Sequence, residues 1–181
     1  LPILAAGLDA KVNSVASLFV SRWDVAANKQ LPEALHNRLG IAVAAQTYRA
    51  YRELLASPRW HQVAAAGAHV QRLLWASTGT KDPAAPDTLY VEALAAPDTI
   101  NTLPEKTLFA FSDHGKVQQG LRGDGGDADA TVAECQAAGI DVDALAAQLQ
   151  REGAESFSQS WAKLLDNIAS KATSSSAKAA P

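Results

Sequence analysis

The run SVASLFV, residues 14–20, constrains the fold more than any other stretch. It is short, continuous and apolar. It lacks the strict polar/apolar alternation of a half-wet strand, so it reads as a strand buried on both faces, the habit of parallel sheets. Yet it carries Ser17 inside it and runs on into Ser21 and Arg22. Side chains alternate along a strand, so Ser17, Phe19 and Ser21 share one face, and Arg22 stands at the exit. A second strand is expected in AHVQRLLWAST, residues 68–78. A third is expected in DTLYVEAL, residues 87–94, either as a strand or as a strand followed by a helical turn.

Helical patterns separate these runs. Ile41, Ala44, Ala45, Tyr48, Tyr51 and Leu55 fall at helical spacing and predict a helix over residues 39–56. Ser57 is a candidate N-cap and Pro58 a first helical residue for a short turn that follows. LPEKTLFAFSDHG, residues 103–115, predicts a short helix closed by Gly115. Strand and helix in alternation imply a parallel sheet with crossover helices.

The last third holds only helical patterns: DADATVAECQAAG, DVDALAAQLQREG and AESFSQSWAKLLDNIA. The third aligns Phe157, Trp161, Leu164, Leu165 and Ile168 on one face, a packing stripe. Residues 170–181, SKATSSSAKAAP, have no core-forming content and are expected to be a disordered tail after a unit spanning residues 1–169. Three parallel strands do not close a barrel, since an eight-stranded one takes about 250 residues. The chain also opens almost directly on a strand. The expectation is an α/β chain that forms the C-terminal part of something larger.

Charge and composition narrow the partners. Lys and Arg number 16 against 19 acidic residues, for a net charge of -3, and the basic residues form no stripe, which argues against nucleic acid. No apolar run is long enough to cross a bilayer, and LPILAAGLDA lacks the charged and long apolar regions of a signal peptide. Cys135 is the single cysteine, so no internal disulfide forms, which fits a reducing, cytoplasmic compartment. Its alanine-rich surroundings mark it as a small core residue. His36, His61, His69 and His114 are far apart and show no ligand spacing, so no metal is expected.

Three stretches carry candidate chemistry. In parallel α/β folds the site lies at the carboxyl ends of the strands. A hydroxyl and a guanidinium at one exit, Ser17 and Arg22, suit a phosphate or another oxyanion. The plain alternative is a hydrogen-bonded strand serine and a surface arginine paired with Asp24. The exit of the second strand, Ser77, Thr78, Gly79, Thr80 and Lys81, offers backbone amides, hydroxyls and one ammonium to an anion, or is a polar turn. It lacks P-loop spacing. Asn101 and Thr102 follow the third strand, and Thr102 suits an N-cap with Pro104 and Glu105 in the first turn. DGGDAD, residues 124–129, lacks the spacing of a calcium loop and reads as a solvated turn.

Taken together, SVASLFVSRWD, LLWASTGTKDP, DTLYVEAL and APDTINTLPEKTLFAFSDHG, in this order, resemble transaldolase in its actinobacterial-type branch. The likeness runs from about Val12 to Ile168. The resemblance implies an α/β barrel of the TIM type. It implies transfer of a dihydroxyacetone unit between sugar phosphates in the pentose phosphate pathway, through a Schiff base on a strand lysine, with no cofactor and no metal. The family's serine-x-phenylalanine-x-x-arginine motif matches Ser17, Phe19 and Arg22. On the resemblance, Ser17 and Arg22 hold substrate phosphate, Phe19 lines the pocket, and Ser77 lies near the phosphate. Many relatives carry a phosphate-binding arginine where this chain has Gly79, so Lys81 is the expected substitute.

The family's Schiff-base lysine, acid/base aspartate and glutamate lie on strands upstream of VASLFVSR and have no counterpart here. A Schiff-base lysine needs a desolvated strand position, whereas Lys11 precedes the strand, Lys29 sits in a polar stretch and Lys81 in a loop. The chain is therefore expected to supply about three strands of the barrel plus C-terminal helices, to be inactive alone, and to have the missing N-terminal portion of the same barrel as its partner. Two other functions fit: a non-catalytic phosphosugar-binding or partner-binding protein derived from the fold, and a lyase like fructose-6-phosphate aldolase. The latter usually has tyrosine as its pocket aromatic, so Phe19 leans toward the transferase.

Overall fold

A computed structural model describes residues 6–7 and 9–178. It divides into two compact units, one ending at Ile140 and one beginning at Asp141. In the first, β1 (Ser14–Phe19), β2 (Gln71–Ala76) and β3 (Thr99–Asn101) form one parallel sheet in the order β1-β2-β3. Its helices are α1 (Val20–Ala27), α2 (Leu39–Ala56), α3 (Pro58–Ala65), α4 (Leu89–Ala93), α5 (Glu105–His114) and α6 (Ala128–Ala137). A 3-10 turn at Glu33–Leu35 joins α1 to α2. The second unit is the long helix α7 (Val142–Lys178).

The helical periodicity of residues 39–56 is realised over its full span. Ala44, Ala45, Tyr48 and Tyr51 are buried, and Ile41 and Leu55 pack against the core. Ser57 caps α3 by accepting from the Trp60 amide at 3.1 Å, and Pro58 is its first residue. Cys135 is fully buried in α6, which packs along α2.

The sheet has two unlike faces. Register places Ala16 beside Leu73, and Leu18 beside Trp75. These four enter the core with Val20, Tyr48 and Tyr51 and with Tyr90 and Leu94 from and beside α4. The opposite face presents Val15, Ser17 and Phe19 beside Arg72, Leu74 and Ala76. There Val15 is 43% exposed and Ser17 is exposed. Burial on both faces, expected for the first strand, is thus met on one face only.

Three further expectations are corrected. The first strand ends at Phe19, and Val20, Ser21 and Arg22 open α1 without a linker. The Ser21 amide donates to the Ser77 carbonyl at 3.1 Å, which draws the chain over the exit of β2, and the helical turn then buries Val20, Trp23 and Ala27 together. Ser21 therefore does not extend the strand face of Ser17 and Phe19. DTLYVEAL holds α4 rather than the third strand, which is the three-residue TIN. Tyr90 and Leu94, each 1% exposed, stand four residues apart and fill the core only as a helix.

The two terminal helical patterns form a single helix. The lone Gly153 costs about 1 kcal/mol, too little to break one. Its backbone continues through most of the expected disordered tail to Lys178, and residues 179–181 lie outside the described residues. Its stripe of Phe157, Trp161, Leu164, Leu165 and Ile168 is 48–62% exposed. As expected, Gly115 closes α5 as its C-cap, and it does so in extended backbone. It is a glycine because the Phe111 ring lies where a Cβ would stand.

Candidate functional site at the strand exits

The carboxyl ends of the three strands are tied to one another by short polar side chains. Ser77, the first residue after β2, has a φ of +54°, a left-handed conformation that costs a non-glycine residue about 1–2 kcal/mol. Ser21 holds it from the β1 side: the Ser21 amide meets the Ser77 carbonyl, and the two hydroxyls lie 2.8 Å apart. On the β3 side, fully buried Thr78 donates to Asn101 Oδ1 at 2.7 Å and to the Thr102 carbonyl at 3.3 Å. The Thr102 amide and hydroxyl both donate to the Trp75 carbonyl at 3.0 Å. Thr102 is thus a strand tie and not the N-cap of α5, a position held by Pro104.

Arg22 does not pair with Asp24. Its guanidinium lies 4.5 Å over the Phe19 ring, a cation–π contact that leaves its N–H fork directed by stacking. Asp24 faces inward and is 1% exposed. It accepts from the Gly40 amide at 2.9 Å and from the Tyr90 hydroxyl at 2.7 Å. Burial pushes its carboxyl above the ordinary 3.8, and the Gly40 and Tyr90 hydrogen bonds offset part of that rise. Burial beside Asp24 drives the Tyr90 phenol well above its usual range. Gly40 has no room for a Cβ, which would stand 2.6 Å from Asp24 Oδ2 and 2.7 Å from the Val20 carbonyl. This knot fixes α1, and with it Ser21 and Arg22, against α2 and α4.

Of the sequence candidates, Arg22 and Phe19 touch each other, and Ser77 is joined to Ser21. Ser17 stands opposite Leu74 on the open face of β1, on the same side as Phe19. Lys81 is exposed, with Nζ 3.8 Å from where a Cβ on Gly79 would stand. That same Cβ would be 3.1 Å from Pro104, so position 79 is crowded and the cation beside it comes from Lys81. Of these candidates the structure joins Ser77 to Ser21 and Arg22 to Phe19, while Ser17 lies within β1 and Lys81 follows β2. The parts that sequence reasoning missed are Ser21's grip on Ser77 and the Asp24 knot. Asp24 carries a local signal only in retrospect, as a carboxylate at helical spacing with Val20 and Ala27.

A cleft lies elsewhere. About 520 Å³ in volume, it is lined by Arg38, Leu89, Glu92, Lys116 and Arg122 among others, and by none of the strand-exit candidates. Arg38 and Arg122 are held there by Glu134 at 2.9 Å and Asp124 at 2.6 Å, which occupies their charge. Among the described residues, no group of three or more His, Cys, Asp or Glu could hold a metal ion, and no helix is long and apolar enough to cross a membrane.

Residues 3–168 match the family model described as transaldolase/fructose-6-phosphate aldolase. Among curated relatives, the transaldolase of Parafrankia sp. (strain EAN1pec) is 47% identical over 174 residues, covering 91% of this chain and 47% of the relative. That of Acidothermus cellulolyticus is 48% identical over 169 residues, covering 89% and 45%. The transaldolase of Neisseria meningitidis serogroup A is 44% identical over 163 residues, covering 90% and 46%. The chain thus spans just under half the length of the curated relatives it matches. Three parallel strands with covering helices are consistent with the barrel of that family. On the extent and level of these matches, the chain belongs to the transaldolase/fructose-6-phosphate aldolase family.

Proposed function

We propose that this chain is the C-terminal, phosphate-binding portion of a transaldolase barrel. The whole enzyme moves a dihydroxyacetone unit between sugar phosphates in the cytoplasm. The observation that carries the reading is the set of donors at the exits of parallel strands, where α/β barrels place their sites. Arg22 supplies the charge, Ser17 and Ser77 supply hydroxyls, Lys81 supplies the second cation beside Gly79, and Phe19 both lines the pocket and carries Arg22. The unlike faces of the sheet support the barrel. Helices cover one face, and the other, with Val15, Ser17, Phe19 and Leu74, has the mixed character of side chains that fill a barrel interior.

The strands SVASLF, QRLLWA and TIN contain no lysine. Lys11, Lys29 and Lys81 are all exposed, whereas a Schiff-base lysine sits in a desolvated position. The Schiff-base lysine therefore comes from the other portion of the barrel, which is this chain's partner. Borohydride trapping of the isolated chain with fructose 6-phosphate should leave its mass unchanged. In the intact enzyme, Arg22→Ala should weaken sugar-phosphate binding roughly ten- to a hundredfold, as expected for a charge-assisted contact of about 1.5–3 kcal/mol. Fructose itself should be affected little. Equal losses on both substrates would sink the assignment.

A further inference from the structure

We propose that Ser21 is a positioning residue that presets the Ser77 hydroxyl as a hydrogen-bond donor toward a phosphate oxygen. The inference rests on the phosphate reading of the site and extends it to a residue that does not itself touch substrate. Ser21 is 1% exposed, and the Ser77 hydroxyl, 2.8 Å away, is its side-chain hydrogen-bond partner among the described residues. A buried hydroxyl that fails to donate pays a desolvation penalty, so the Ser21 proton goes to Ser77 Oγ. One lone pair of Ser77 Oγ is then occupied, and its own proton is left for an acceptor outside the pair. Ser77 is only half-buried, so that acceptor can be a ligand.

The backbone reinforces the arrangement. The Ser21 amide donates to the Ser77 carbonyl at 3.1 Å, and this second tether helps keep Ser77 at its left-handed φ of +54°. Thr78 is anchored independently to Asn101 and Thr102. The turn is therefore gripped on both sides, and within the Ser21–Ser77 pair it is the Ser77 hydroxyl whose proton is left for a ligand. A phosphate oxygen accepts from it, whereas a cationic or donor-only ligand meets a mismatched partner.

The test is a titration of the 181-residue chain with inorganic phosphate and fructose 6-phosphate, followed by amide NMR, which also reports whether each variant is folded. Ser21→Ala should weaken phosphate binding about three- to tenfold, the scale of one lost aligned donor. Ser21→Thr, which keeps the hydroxyl, should restore it to within about twofold. In a Ser77→Ala background, Ser21→Ala should cause no additional loss, because the pair acts as one unit. Wild-type affinity in Ser21→Ala, with binding lost in Arg22→Ala, overturns the inference and leaves the site reading standing. Equal losses in Ser21→Ala and Ser21→Thr assign the effect to packing and also overturn it. Failure of the unmutated chain to bind phosphate removes the site reading and the inference together.

Discussion

The two faces of the three-stranded sheet are made from the same strands and behave as different materials. On one, Leu73 and Trp75 lie under Tyr48, Tyr51, Tyr90 and Leu94, and Trp75 is fully buried. On the other, Val15 is 43% exposed, and Ser17 and Arg72 are exposed. The covered face is set by packing with helices that the chain itself supplies. The open face is a mixture of apolar groups, a hydroxyl and a guanidinium, and in the proposed barrel it would face the interior. Stability belongs to the first face and the proposed chemistry to the second.

The comparison breaks most readily at Trp75. Trp75→Ala should cost about 3–5 kcal/mol, the usual range for an aromatic removed from a packed core, and should abolish a cooperative thermal melt in a unit this small. If it costs under 1 kcal/mol, the covered face is not the core. A smaller effect is expected at Asp24. Its carboxyl is raised by burial, so the proton-linked stability from this group is full below the ordinary value of 3.8 and is lost as pH rises through the folded value. Asp124 and Asp129, pulled down to about 2 by Arg122 and Arg49, run the other way: their contribution is present above 3.8 and lost as pH falls. Asp24→Asn should therefore compare best with the parent at pH 7 and worst near pH 4 in paired thermal melts. A gap independent of pH would show that Asp24 titrates as an ordinary carboxylate. The smallest effect is expected at Val15. Val15→Ser should change stability by under about 0.5 kcal/mol and should reduce self-association seen by light scattering, because an exposed apolar edge templates pairing. A destabilisation matching that of a core residue would erase the distinction between the faces.

Legibility followed the range of the interactions. α2 is readable to its ends because eighteen residues span five turns of the 3.6 period. The Ser57 cap was readable because it acts across three residues. β3 was not, since three residues show no period, and DTLYVEAL suits either state until Tyr90 and Leu94 meet a core. At the proposed site, Arg22, Ser17 and Phe19 stand in one local motif, whereas the strand reading of Ser21 fails because nothing within ten residues reveals that the chain turns helical at Val20.

The sequence alone determined the parallel α/β character and the order of most elements, because periodicity, caps and side-chain types are local properties. Tertiary structure decided which face of β1 is covered, where β1 ends, and that Asp24 turns inward while Arg22 stacks on Phe19. It also decided that Ser21 reaches Ser77. The Asp24 and Ser21 contacts join groups from 16 to 66 residues apart that meet only when the sheet and its helices close around one core.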